Sequence, residues 1–540
     1  MKPRTPEEVR SISSILTSWE RAADHNYDDR FDGVLTIDSG HDGVRGDIVV
    51  ISDLHIGSGL DPSNNFTGNE NFFADGAMKR FLTTVAQKRK ENVNIAVQTA
   101  PMTLIINGDF IDFLRITDYP DSDTDFTEWL RAIQLVGITE FANKEELNNS
   151  ITVEQKQGYG LKTNDFKSVW KLHVSAGGHA KVFQALGDWL ADGHKLIITK
   201  GNHDLEWFWQ AVRNYLRFIL AEHLEVQNNI QIEAALQSIV LPRVRFIENA
   251  FILDDTLYVE HGHRYDKFTK LRPESERVYH DKELNYPLGS YFNRYLINKI
   301  ELHYPYFENV RPRESLLPLI IKTDFPLAIR VFFKYIPYLV RSIMRRQAWK
   351  IFAQTLAFGL VLSVGLAIVL LVVLQMFGTD VSNVLSTTAV SADNSSTVGS
   401  IVGKYLLALA ETVGGLILTY YLGRILSMAQ LVEPSSLYSD TKKLFEMYPG
   451  VQIVTLGHTH NPEQFMQQNS GNDNSRWFYN TGTWIPIVDT TTGSLREDKT
   501  YTYLYFTHDA AGKILPRPLH RWDDGASRGE TLTLIEIKEG

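Results

Sequence analysis

The sequence predicts an α/β fold interrupted by a pair of membrane-spanning helices. Three observations carry that prediction. Short apolar runs alternate with helical patterns through the first half of the chain and again after residue 439. Most of the runs end in carboxylate, amide or imidazole side chains, and in open α/β sheets the chemistry gathers beyond the carboxyl ends of the strands. Two long apolar stretches, near 351–377 and 401–422, separate the halves.

The 540 residues suffice for a catalytic domain and a second unit. A net charge of −10 argues against a nucleic-acid partner. The chain has no cysteine, which excludes disulfides, zinc–thiolate sites and thiol nucleophiles. Any metal must therefore sit on His, Asp, Glu or Asn.

Residues 1–45 read as a helical extension without the apolar core of a signal peptide, since Val9, Ile12, Leu16 and Trp19 recur at helical spacing. Ile48 to Ile51 reads as a buried strand ending in Asp53-Leu54-His55, followed by a helix from Phe73 to Lys90. Met102 to Asn107 is a second strand, ending in Gly108-Asp109-Phe110-Ile111-Asp112. Helices follow over Trp129 to Leu135 and Asp165 to Leu190. Lys195 to Thr199 is a third strand, ending in Gly201-Asn202-His203-Asp204, and Trp207 to Leu224 is helical. Leu257 to Glu260 leads into His261-Gly262-His263.

After Arg264 the pattern breaks. Residues 265–350 read as a membrane-proximal insertion of short helices, with Pro318, Pro326 and Pro337 and a basic run from Arg341 to Lys350. Residues 351–424 read as a transmembrane hairpin. From Ser439 the α/β character returns, with the strand Val451 to Leu456 entering Gly457-His458-Thr459-His460. Further strands are expected at Trp477 to Trp484, Tyr501 to Thr507 and Thr531 to Ile537.

A two-metal hydrolase draws hard or borderline ligands from several strand ends and needs one carboxylate to bridge both ions. Asp53 and His55 are two residues apart and share one side of an extended chain. Asp109 suits the bridge, Asn202 can offer a neutral carbonyl oxygen, and His261, His458 and His460 complete two ligand sets. His263 reads as a phosphate contact, a substitute for His261 or an exposed residue. Arg264 reads as a phosphate binder or the partner of a carboxylate, and Asp204 and Asp266 as structural.

Taken together and in this order, the five clusters resemble those of the calcineurin-like metallophosphoesterase superfamily, over roughly residues 46–264 and 440–490. The resemblance implies a β-sandwich flanked by helices, here interrupted by the hairpin. It implies one divalent metal held by Asp53, His55, Asp109 and His460, and a second held by Asp109, Asn202, His261 and His458. Manganese is favoured over iron, zinc or magnesium. His203 would act as general acid or as the cation at the leaving oxygen, with Asp112 orienting it. Asp109 to Leu114, Gly201 to Trp207 and Asn480-Thr481-Gly482-Thr483-Trp484 are similar to the branch around UDP-2,3-diacylglucosamine pyrophosphohydrolase, although His203 stands where that branch carries arginine.

The expectation is a membrane-anchored phosphoesterase or pyrophosphatase, with a lipid-linked phosphate among its candidate substrates. A tethered protein or nucleotide phosphatase and a scaffold on an inactive fold are the alternatives. Because His261 precedes the hairpin and His458 follows it, the crossings must be even in number, and the basic flanks place the catalytic domain in the cytoplasm.

Overall fold

Two sheets face one another across an apolar layer, and the strands that build them are the runs that end in the candidate ligands. The computed structural model describes residues 2–22, 33–40, 45–61, 63–66, 69–90, 98–152, 155–266, 268–270, 278–279, 282–304, 306–311, 316–344, 436–468, 475–489, 493–509, 511–532 and 535–539. The chain forms two compact units, Met1–Pro312 with Val432–Gly540, and Arg313–Leu431. The insertion expected from residue 265 is thereby divided, since its part up to Pro312 belongs to the first unit.

In chain order the strands are β1 (Val34–Ile37), β2 (Ile48–Ile51), β3 (Thr103–Asn107), β4 (Lys195–Thr199), β5 (Val244–Ile247), β6 (Ala250–Leu253), β7 (Leu257–Glu260), β8 (Val310–Arg311) and β9 (Ile453–Leu456). They continue with β10 (Glu463–Gln468), β11 (Arg476–Asn480), β12 (Val488–Asp489), β13 (Ser494–Leu495), β14 (Thr502–His508), β15 (Ile514–Leu515), β16 (His520–Asp523), β17 (Arg528–Thr531) and β18 (Ile535–Glu539). One sheet runs β1-β6-β7-β9-β11-β10-β18, the other β17-β16-β14-β2-β3-β4-β5 with β15 beside β14, and β13-β12-β8 form a small third sheet.

The near-continuous apolar strands are explained by burial on both faces. Ile48 and Val50 of β2, Ile105 of β3 and Ile197 of β4 point inward against Leu257 and Val259 of β7 and Ile453 of β9. Their alternating neighbours Val49, Ile51, Leu104, Ile106, Leu196 and Ile198 face the opposite way, into a layer of helices. That layer includes Asp75–Lys90, Asp123–Leu135, Asp165–Gly178, Ala180–Ala191 and Gln210–Asn228. On the far side of the first sheet, Tyr258, Val454 and Leu456 pack against Leu444 and Phe445 of the helix Tyr438–Met447. The amphipathic spacing near the N-terminus gives the helix Pro6–Ala22, with Ile12 and Leu16 fully buried in the helical layer.

Parallel pairing sets the site. β2, β3 and β4 are mutually parallel, as are β7, β9 and β11, so their carboxyl ends collect at common edges. Asn107 at the end of β3 donates through Nδ2 to the Glu260 carbonyl at the end of β7, at 2.8 Å, and so ties the two sheets together there.

The transmembrane expectation is corrected. Among the described residues no helix is long and apolar enough to cross a membrane. The described helices of the second unit include Leu316–Thr323, Phe325–Arg330 and Ile336–Met344. The last two are joined through the π-helical turn Val331–Tyr335 into one helical run, and Arg330, Lys334 and Arg341 within it, like Lys322 in the first helix, oppose a bilayer crossing. The two-helix hairpin in the fold class and the integral-membrane placement built on it are therefore not supported. The stretches 351–377 and 401–422 themselves lie outside the described residues.

Candidate metal centre

The candidate ligands sit on tight turns that leave the strands, and the backbone there is held in an uncommon conformation. Asp53, His55, Asp109, His458 and His460 all have positive φ, between 49° and 73°. Outside glycine this region costs about 1–3 kcal/mol per residue and persists only where the surroundings enforce it. Here the surroundings are neighbouring turns. The His55 N–H donates to the Asp109 carbonyl at 2.9 Å, and the His203 N–H donates to Asp109 Oδ1 at 2.8 Å. The His458 N–H reaches both Asp53 carboxylate oxygens at 3.2 Å.

The motif glycines make this convergence possible. A side chain on Gly108 would run into the His261 ring, and one on Gly201 into the Asp109 carboxylate. Asp204 staples the same turns, accepting the Gly201 N–H at 2.6 Å and the Phe110 N–H at 2.8 Å. Burial first, and then the charge of Asp109, push its carboxyl up to about 7. Asn480 at the end of β11 holds the last turn through Nδ2, to the Gly457 carbonyl at 2.7 Å and to Thr459 Oγ1 at 3.0 Å.

Three groups of donor atoms result among the described residues. Asp53, His55 and His460 offer atoms within 4.8 Å of one another, as do Asp53, Asp109 and His261. A third such group contains His55, Asp109 and His203. Asp109 Oδ2 is buried without a hydrogen bond, 3.1 Å from His261 Nε2 and 3.6 Å from His55 Nε2. An orphaned carboxylate oxygen between two imidazoles is what a bridging ligand presents.

The donor set itself calls for a cation. Burial opposes ionisation of Asp112, yet the charge and hydrogen bond of His203, with His55 and Arg115, hold its carboxyl well below the usual carboxylate range. Asp112 Oδ2 therefore accepts from His55 Nδ1 at 3.0 Å, His203 Nδ1 at 2.8 Å and Arg115 Nε at 2.8 Å. With Nδ1 protonated, His55 turns a lone pair outward from Nε2. His460 Nε2 lies 2.9 Å from that atom and 3.4 Å from Asp53 Oδ1. With the His460 proton on Nδ1 as well, three acceptors converge at these distances and repel unless a positive charge lies among them; with it on Nε2, His460 donates to one of the others. The field agrees in sign: burial would lower the His261 imidazole, but the charges of Asp109 and Asp53 raise it to about 9. Burial also opposes ionisation of Asp53 and Asp109, yet the neighbouring histidines hold both carboxyls below their ordinary value.

The remaining candidates are placed less uniformly. Asn202 Oδ1 stands 3.2 Å from His261 Nε2, while His261 Nδ1 donates to the Asn107 carbonyl at 2.9 Å. His458 is adjacent, its ring 5.4 Å from that of His261, but it falls outside the compact donor groups. Its Nε2 faces Thr269 Oγ1 and Asp266 Oδ2, each at 3.5 Å. His203 Nε2 points away from Asp112 and meets Asn293 Nδ2 at 3.1 Å.

His263 is not exposed. It is buried with neither ring nitrogen hydrogen-bonded, its ring 5.5 Å from that of His261. Burial, with the charges of His261 and His458, holds its pKa well below the ordinary imidazole value. Arg264 pairs with Glu260 and lies 3.3 Å from the Tyr258 hydroxyl, so the carboxylate alternative describes it.

Sequence reading missed Asn293, Arg115 and Asn309. Arg115 couples Asp112 to Glu301. Asn309 Oδ1 lies 2.6 Å from His460 Nδ1. Asn293 and Asn309 are single residues without a motif, on segments remote in sequence from the histidines they touch, whereas Arg115 follows closely on Asp112 and only its link to Glu301 is long-range.

Comparison with known proteins adds no assignment: no family model matches the chain, and no curated protein does.

Proposed function

We propose that the chain is a metal-dependent phosphoesterase that hydrolyses a phosphoester or pyrophosphate at a two-metal centre. One observation carries the reading. Asp109 Oδ2, buried without a hydrogen bond, stands 3.1 Å from His261 Nε2 of one sheet and 3.6 Å from His55 Nε2 of the other. The resemblance of the five clusters to the calcineurin-like metallophosphoesterases supports the same reading.

Asp53, His55, Asp109 and His460 would hold one divalent ion, and Asp109, Asn202, His261 and His458 the other. When bound, such ions polarise a phosphate and bring water to nucleophilic strength near neutral pH. The protein's own part is positional. Asp109 shares one donor group with His55 and another with His261. Asp112, held ionised, keeps Nδ1 of His55 and of His203 protonated, and so aims both Nε2 atoms away from itself. The His203 ring stands edge-on to the His55 ring, with centroids 4.5 Å apart, so its Nε2 lies beside the donor groups. To act as the acid, His203 would have to take a second proton on Nε2 in place of the bond it accepts from Asn293 Nδ2; delivered from there, that proton would neutralise a departing alkoxide or phosphate oxygen. No side-chain nucleophile is required, because the attacking oxygen comes from water.

The inactive-scaffold alternative is disfavoured by cost. Strained turns, convergent lone pairs and an orphaned carboxylate oxygen all destabilise a protein that makes no use of them. Hydrolysis of an aryl phosphate with added manganese tests the proposal. Activity that disappears in Asp109→Asn supports it; a preparation that binds manganese yet hydrolyses no phosphoester, pyrophosphates included, sinks it.

A further inference from the structure

The stretch between His261 and β9 carries no motif of the metal centre, yet besides Asp266 and Thr269 beside His458 it supplies a residue that touches His460 from behind. We propose that Asn309 is a positioning residue of the metal centre, fixing the tautomer of His460; this rests on the two-metal reading above. Asn309 is fully buried. Its Nδ2 lies 3.2 Å from the Pro486 carbonyl, and its Oδ1 lies 2.6 Å from His460 Nδ1. A carbonyl only accepts, so the amide must present its N–H₂ to Pro486 and its oxygen to the imidazole. The imidazole then donates from Nδ1, which leaves the lone pair on Nε2. That nitrogen faces His55 Nε2 and Asp53 Oδ1. A ring with its proton on Nε2 would direct an N–H at the cation position and could not coordinate there.

The placement of Asn309 is built into the fold. Its N–H donates to the Tyr306 carbonyl at 2.8 Å, closing a tight turn in which Tyr306 adopts φ 63°. The next residues form β8, which pairs in parallel with β12, so Val310 lies opposite Val488 and Arg311 opposite Asp489. Pro486, which receives the amide, stands just before β12. The same small sheet thus locates both partners of the Asn309 side chain. Residues 306–311 are therefore part of the metal centre's support.

Metal titration of the full-length protein tests the inference. Wild-type, Asn309→Ala and Asn309→Asp proteins would be stripped with chelator and titrated with manganese, with thermal melting of the stripped forms as the folding control. Asn309→Ala removes the acceptor and is expected to weaken one of two manganese sites about tenfold or more. Asn309→Asp keeps an acceptor and is expected to retain that site. Equal affinity in all three overturns the inference while leaving the two-metal reading intact. A wild-type protein that binds no manganese overturns both. Should Asn309→Ala fail to fold, imidazole ¹⁵N shifts of wild-type protein loaded with zinc decide the matter. A metal-bound Nε2 with a protonated Nδ1 at His460 supports the inference, and a metal-bound Nδ1 overturns it.

Discussion

At Asp112 one carboxylate oxygen serves three donors: His55 Nδ1, His203 Nδ1 and Arg115 Nε. The first imidazole is a candidate ligand and the second a candidate acid, so a single side chain sets the tautomer of both. Asp112→Asn keeps the shape but loses the ionised acceptor. Steady-state hydrolysis of an aryl phosphate should fall by about 10–100-fold, the usual cost of losing a group that orients a metal ligand. An unchanged rate would mean that Asp112 orients neither ring. The residues that carry this chemistry were legible because carboxylates, amides and imidazoles recur at the ends of apolar runs. Asn309 and Asn293 were not. Each is a single amide with no motif around it, and Asn309 meets its histidine across 151 positions of chain. Neither spacing nor composition marks such a contact.

At the scale of elements, the turns matter more than the strands. Gly108 has φ 79° and lies against the His261 ring, and a methyl there meets the ring from the neighbouring sheet. Gly108→Ala should displace His261 and weaken metal binding, measurable by manganese titration, besides straining the turn. Wild-type affinity in that variant would show that the turn yields at little cost. The N-terminal helix makes a separate contribution, through Ile12 and Leu16 in the helical layer. Leu16→Ala should lower stability by about 2–5 kcal/mol in urea unfolding; a change below about 0.5 kcal/mol, the usual range of surface substitutions, would show that the helix is dispensable to the core.

The double-buried strands β2, β4 and β7 were legible with their boundaries, because their apolar runs are uninterrupted. β5 and β6 were not. Arg245 breaks the apolar run of the first, and a short turn at Glu248 and Asn249 joins the two without Gly or Pro to mark it. β1 was hidden for a different reason. It is a short, half-exposed edge strand whose place depends on β6, more than 200 residues away.

For the molecule as a whole, two parallel strand groups in separate sheets present their ends to one region, tied by Asn107 and by the contact of His458 with Asp53. That arrangement explains how residues as distant as Asp53 and His460 share a centre. The two-span topology rested on stretches outside the described residues, and the described helical run Phe325–Met344 carries Arg330, Lys334 and Arg341.

Stability of the whole molecule should depend on pH through His179. This buried imidazole lies 2.9 Å from Glu70 Oε2 through Nε2 and 3.1 Å from Asp75 Oδ2 through Nδ1. Burial alone would lower its pKa, but the two carboxylates raise it to about 9. The folded state therefore binds the proton more tightly than the unfolded chain, whose imidazole titrates near 6.5. The contribution is complete below about pH 6.5 and disappears as pH rises through about 9. Melting temperatures of wild type and His179→Gln, compared from pH 6 to pH 10, should converge at the alkaline end. A constant gap would remove His179 as the cause.

The most direct test of the two-metal centre is a count of bound metal. Full-length protein purified without chelator, reconstituted with manganese and desalted should carry two divalent ions per chain by elemental analysis. Asp109→Asn should lose both, because Asp109 belongs to both ligand sets. Wild-type protein that retains no ion, or an Asp109→Asn variant that retains two, would contradict the account.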